Sequence, residues 1–421
     1  MVLKRSAPLT VSLGALAYVV AVTQRSTMGV ASLDAAARFH TNAEQLSILA
    51  VAQLVMYALM QVPVGLLLDR YGARNLIFFG SIFMAAGQLI VAYATALPVG
   101  VIGRVLVGFG DAFTFISMIR LINGWYTGKT AARLQQWLGN GGQLGQIVSA
   151  VPFAYLLHVT GWTTAFTIWA SIALLIAFGV WVFVADDAQQ VSEEHSVNLR
   201  ARIGHLRDSI REPYAKTAFW VHFSTMSPAT VLLLLWGIPF LQQAEGLERP
   251  VALTLLSSFV FVGIGMGTLI GQVCSTRPEL RKATLTTTTS LMLTAWIVVL
   301  AWPGKSPIWL LAIWAFSTAA NSPASMLAFD YTRQFAPKKQ LGSVNGFVNV
   351  AGFTASFSMM FLIGVVLDVV YELWGKHSGL QLYSLVGFKL ALVVVVLVIA
   401  FGHMRYRMNI RNLDLGPRLL E

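Results

Sequence analysis

Three charged residues stand inside stretches otherwise suited to lipid: Arg25 in VVAVTQRSTMGVA, and Arg104 and Asp111 in GRVLVGFGD. A charge at bilayer depth costs about 3 kcal/mol or more unless it is paired or faces a polar cavity, so such residues mark functional sites by default. An arginine there presents a fixed fork of donors suited to a carboxylate, phosphate or nitrate. A carboxylate there is a group able to take up and release a proton. Arg104 and Asp111 are seven residues apart, which on a helix returns to nearly the same face about 10 Å further along. The chemistry these types offer is the holding of a small anion and the binding of a proton. Arg25 either contacts the anion or serves only as the partner of Asp111, with Arg104 a further candidate for contact with the anion, and the sequence leaves these readings open.

The elements that position these charges are long apolar helices. The 421 residues are 56% hydrophobic and 11% charged, less than half the charged fraction of an ordinary soluble domain. Apolar runs of about 20 residues, the length that crosses a bilayer as a helix, recur throughout. Twelve spans are expected, at 10–32, 45–68, 75–96, 99–126, 134–157, 164–184, 217–241, 251–274, 284–302, 308–330, 341–367 and 384–404. The first follows a basic flank but no small-residue cleavage site, so it reads as a retained helix. The fold class is therefore an all-α polytopic membrane protein. A single cysteine, Cys274, excludes an intrachain disulfide framework. No His or Cys cluster has metal-ligand spacing, no loop cradles phosphate and no nucleophile has a base nearby, so neither a metal, a cofactor nor an enzyme is expected.

Net charge is +11, which in a soluble chain would point to nucleic acid. Here 21 of the 29 Lys and Arg fall in the termini and the loops that follow even-numbered spans, against four in the opposite loops. The positive-inside rule then places both termini in the cytoplasm, with no nucleic-acid partner and with the lipid bilayer as surroundings. The longest polar stretch, 186–216, divides residues 1–185 from 217–404, six spans each, with a tail at 405–421. In that stretch Leu199, Ile203, Leu206 and Ile210 recur at helical spacing among arginines, as an amphipathic helix on an anionic surface would, or as a basic linker.

GLLLDRYGARN, after span two, resembles the signature that the major facilitator superfamily carries between its second and third helices. Gly65, Asp69, Arg70, Gly72 and Arg74 match, and Ala73 stands where a basic residue is usual. GRVLVGFGD resembles the family's second motif. The resemblance covers the whole chain and implies two pseudo-symmetric six-helix bundles. It also implies a latch in which Asp69 faces the start of span eleven, a helix N-terminus attractive to a carboxylate; Arg120 is expected to pair Asp69 or to cap backbone carbonyls.

Within that superfamily, QRSTMGVA resembles the first helix of the anion:cation symporter branch. That resemblance implies an anion-contacting Arg25, proton coupling through Asp111, a prokaryotic cytoplasmic membrane and a monomer. Where many members carry an acid before the arginine, this chain has Gln24. Further candidates for substrate contact are Gln53 and Tyr57 on span two, Asn140 on span five, and Asn321 and Asn349 on spans ten and eleven. His222, Trp236, Trp314 and Lys389 read as interface or packing residues. Efflux of a cationic or apolar compound is the alternative, and it wants a glycine-proline motif in span five that LGNGGQLG lacks. A non-transporting receptor is the third reading.

Overall fold

The computed structural model describes residues 6–126, 128–186, 208, 210–336, 341–411 and 413. Among these residues there is no strand, and ten helices are long and apolar enough to cross a membrane. They are Ala7–Val30, Ala43–Gln61, Tyr71–Tyr93, Leu97–Trp125, Trp162–Phe183, Pro213–Ala244, Arg249–Cys274, Pro278–Ala301, Val344–Gly375 and Leu385–Ile410. They correspond to ten of the expected spans and keep those ordinals below. Large apolar side chains on them point outward without partners: Leu175 is 71% exposed, and Phe178 and Phe261 67%. In water such a surface would drive association; in lipid it is the solvated face.

Spans five and ten are helical but broken. Span five runs Gly128–Val148, then a π turn at Ser149–Phe153, then Ala154–Thr160. Pro152 lies in that wide turn, where the missing amide hydrogen costs no regular α bond. Span ten runs Ile308–Asn321, a 3-10 turn at Ser322–Met326 containing Pro323, and Leu327–Phe335. Spans two and three form one helical run, Ala43–Tyr93, interrupted at Gly72, whose φ of 78° favours glycine. The expected amphipathic helix around 199–210 falls almost wholly outside the described residues, as does most of the tail.

The chain forms two compact units. The first comprises Met1–Thr41 and Ile48–Val197, the second Asn42–Ser47 and Asn198–Glu421. In the first, span one packs against spans four, five and six. Polar side chains of span one fix its depth: Thr23 donates to the Gly145 carbonyl at 3.0 Å, and Gln24 to that of Trp169 at 3.3 Å. In the second, span seven packs against spans eleven and twelve. Its core is aromatic. Trp314 sits between Phe240 and Trp296, at 5.5 and 5.2 Å between ring centroids. Trp236 is buried and donates to the Met360 carbonyl at 2.9 Å, so both Trp236 and Trp314 are packing residues.

Lys389, read as an interface residue, donates to the carbonyls of Trp302 and Gly304. It thereby caps the loop after span nine. His222, expected near an interface, is buried nine residues into span seven, because that span starts at Pro213 rather than at 217.

Candidate functional site

Asp111 lies midway along span four and is 0% exposed; Arg25, in the last third of span one, is 13% exposed. They form a two-pronged pair, Arg25 Nε donating to Asp111 Oδ2 at 2.6 Å and Nη2 to Oδ1 at 2.9 Å. The fork of the guanidinium is matched edge to edge with the carboxylate, the geometry that makes such pairs both strong and specific. The Tyr57 ring of span two covers the guanidinium, with 4.6 Å from Cζ to the ring centroid. Tyr18, one helix turn before Val22 on span one, lies beside the same charges. One aromatic face and a buried acid thus enclose the cation.

Arg104 does different work. Its guanidinium donates to the backbone carbonyls of Gln24 at 3.4 Å and Arg25 at 3.2 Å, and to Thr27 Oγ1 at 3.3 Å. Gln88 of span three adds a bond to the same Thr27 hydroxyl at 3.3 Å. Arg104 is 1% exposed and holds the backbone that carries Arg25, one layer behind the pair. Spacing along span four places Arg104 and Asp111 on one face; it could not say which of two arginines the carboxylate meets.

Gln53 is buried on the face of span two that also bears Tyr57, one turn further along. Neither its amide nitrogen nor its amide oxygen has a hydrogen-bond partner. The helices touch there: a Cβ on Gly108 would stand 2.2 Å from the Gln53 carbonyl oxygen. An unsatisfied amide inside protein costs about 1–3 kcal/mol, a cost a ligand could relieve.

The remaining candidates are dispersed. The Asn140 side chain lies outside the described residues. Asn321, fully buried in the second unit, accepts from Thr289 at 3.2 Å and points its amide nitrogen at the Met292 sulfur at 3.4 Å. Asn349, in the same unit, lies beside His222, whose Nδ1 faces the Ser325 carbonyl at 3.4 Å.

Of the expected latch, Gly65, Asp69 and Arg70 have side-chain surroundings outside the described residues. Gly72, Arg74 and Arg120 converge on a residue the sequence reading passed over, Asp186, just beyond span six. Its Oδ1 accepts from the Arg74 backbone amide at 3.0 Å, while the Arg74 guanidinium donates to the Trp181 carbonyl. A Cβ on Gly72 would collide with Oδ2 at 2.3 Å. Burial pushes the Asp186 carboxyl above the usual carboxylate range; the amides of Arg74 and Ala73 and the charges of Arg120 and Arg74 pull it partly back. The matching glycine and arginine therefore form a cradle for a carboxylate at the start of span three. An acid just past the end of an apolar run was the available signal.

Among the described residues no group of three or more His, Cys, Asp or Glu could hold a metal ion. The arrangement can hold a carboxylate-sized anion on Arg25 and a proton on Asp111, and the two are coupled because each group now occupies the other.

Residues 14–360 match the model of the Major Facilitator Superfamily. The chain is 24% identical over 262 residues to the probable L-galactonate transporter of Escherichia coli K12, a match covering 59% of this chain and 58% of that one. This chain thus spans little more than half of that relative. It is 20% identical over 385 residues to the probable galactarate/D-glucarate transporter GarP of the same organism, covering 83% and 85%. It is 21% identical over 375 residues to the hexuronate transporter of Bacillus subtilis strain 168, covering 86% and 88%. Among solved structures, a bacterial homolog of the human lysosomal transporter Spinster, in an inward-facing, unoccupied conformation, superposes with a TM-score of 0.78 at 14% identity, covering 97% of this chain and 98% of that one. The matched family model covers most of the sequence and the helical fold accompanies it, so this chain belongs to the Major Facilitator Superfamily.

Proposed function

We propose that the chain is a secondary active transporter, working by alternating access, that carries a small organic anion together with protons. The observation that carries this reading is the Arg25–Asp111 pair. A buried acid occupies the guanidinium fork in the geometry a substrate carboxylate would need. Protonation of Asp111 removes its charge and weakens its hold, leaving Arg25 for an incoming anion; binding of the anion in turn favours the protonated acid. Proton and anion are thereby linked through one cation, and neither is expected to travel alone.

The energetics favour such linkage. A monovalent anion entering an inside-negative cell is opposed by about 2.3 kcal/mol per 100 mV, and one accompanying proton cancels that charge. Relatives named for galactonate, glucarate and hexuronate support a sugar acid as the substrate class. In this reading Gln53 and Tyr57 line the anion site beside Arg25, with Asn140, Asn321 and Asn349 as further polar contacts and Arg104 supporting the site. The basic loops support both termini in the cytoplasm, the bacterial relatives support a prokaryotic inner membrane, and family habit supports a monomer.

The test is uptake of labelled galactonate, glucarate and glucuronate into proteoliposomes under imposed pH gradients and voltages. Uptake of at least one should rise with an inward proton gradient. Asp111→Asn should abolish accumulation against a concentration gradient while leaving substrate exchange. An Asp111→Asn protein that still concentrates substrate would refute the coupling role, and failure of all carboxylates to be transported would refute the substrate class.

A further inference from the structure

The opening turn of span two carries a contact that the transport site does not use. The first amides of a helix have no partner inside it. Those of Ala43 and Glu44 donate to the two oxygens of one carboxylate, Asp368, at 3.0 and 2.8 Å. The next amide, of Gln45, donates to Asn42 Oδ1 at 2.8 Å. Asp368 belongs to the last turn of the helix Leu341–Val370, at the end of span eleven away from the basic loops.

One turn earlier on that helix is Gly364, where a Cβ would stand 2.7 Å from the Ala43 carbonyl oxygen and 3.0 Å from the Glu44 Cα. The backbones meet there because no side chain intervenes. Ala43 and Leu46 are both 0% exposed. Through these contacts Asn42–Ser47 belongs to the second unit, whereas the same helix from Ile48 onward belongs to the first.

A helix pinned at its first turn alone must either bend there or let go when the rest of it moves. The contact suits release. A carboxylate at a helix N-terminus gains from the partial positive charge there, and its bonds are directional and short in range. Water can satisfy both the amides and the carboxylate once they separate, so parting leaves no orphaned group. An apolar contact of equal strength would expose area to water instead.

We propose that Asp368 is a latch on the side opposite the basic loops. Its two bonds to the start of span two favour the state closed on that side, and their release accompanies opening there. The latch rests on alternating access but not on the identity of the substrate.

The test uses Leu46→Cys as a reporter in a Cys274→Ala background, with a membrane-impermeant maleimide applied to intact cells without added substrate. Asp368→Asn loses the charge and one of the two acceptors, and labelling should quicken by about tenfold, the population shift expected from weakening charged hydrogen bonds. Gly364→Val separates the same helices by a different cause and should quicken labelling in the same direction. Asp368→Glu should restore most of the slow labelling. A carboxylate that merely caps the helix would give variants of lower thermal stability with labelling unchanged, and that result overturns the proposal. Because the reading is taken without substrate, absence of sugar-acid uptake would leave this outcome standing.

Discussion

Removal of one partner from the Arg25–Asp111 pair leaves a charge without compensation at a depth where water is scarce. Asp111 is 0% exposed and Arg25 13%, and both bonds between them are short. Breaking a fully buried pair typically costs about 3–5 kcal/mol. The partial exposure of Arg25 and the one bond an amide retains place Asp111→Asn near about 2–3 kcal/mol. Arg25→Met keeps an apolar chain of similar length and leaves a buried carboxylate that can neutralise itself by taking a proton, so it also falls at about 2–3 kcal/mol. The double variant has neither charge and should cost much less than the sum of the two. The double-mutant cycle is then non-additive by about 2 kcal/mol, some 30-fold in the folded-to-unfolded ratio. Reversible unfolding of the purified protein in mixed micelles, followed by tryptophan fluorescence, measures all four corners. Losses that add to within about 0.5 kcal/mol would show that the pair contributes no coupling, and the competition between Asp111 and the anion for Arg25 would lose its basis.

Arg104→Met removes the clamp on the span-one carbonyls; thermal stability should fall by about 2 kcal/mol or more, while substrate affinity in the surviving protein changes less than in Arg25→Met, as ligand-binding isotherms would report. Gly108→Ala places a methyl where the Gln53 carbonyl already stands at 2.2 Å, and overpacking of about 1–3 kcal/mol should lower the yield of monodisperse protein on size exclusion. Gln53→Leu removes an unpartnered buried amide, so it should raise thermal stability by about 1 kcal/mol and weaken binding of hydroxylated acids more than of simple carboxylates. For Asp186 the folded carboxyl holds its proton more tightly than the unfolded chain does. Its contribution is present in full below the unfolded value, near about pH 4, and is lost as pH rises through the folded value, so Asp186→Asn should gain on the natural protein in melting temperature across that window.

The helical architecture was readable because run length alone decides whether a segment spans a bilayer, and runs near 20 residues recur down the chain. Ends were less readable. Span seven starts at Pro213 and span twelve continues to Ile410, beyond the expected 404, since helices extend past the apolar core wherever the backbone bonds continue. The breaks in spans five and ten sit at Pro152 and Pro323, residues visible in the sequence but silent about which turn they would produce. At the site, the cost of burying a charge made partners for Arg25 and Asp111 a necessity, while the choice between Arg25 and Arg104 depended on the rotation of span four against span one. Asp186 and Asp368 were passed over for a common reason: each binds backbone amides, which every residue possesses and no sequence pattern distinguishes.

The π turns at Ser149–Phe153, Leu232–Trp236, Phe240–Ala244 and Tyr371–Gly375 have a bearing on descent as well as on shape. A π turn accommodates one residue more than the α turn it replaces, so it rotates everything beyond it by about 100° relative to an uninterrupted helix. A single-residue insertion would leave such a turn behind in a helix whose two ends are already pinned by packing and cannot rotate. A relative lacking one of these turns would align to this chain with a one-residue gap inside a span. The side chains on either side of such a gap would keep their facing, and drawing that span without the gap would turn its inward residues toward lipid.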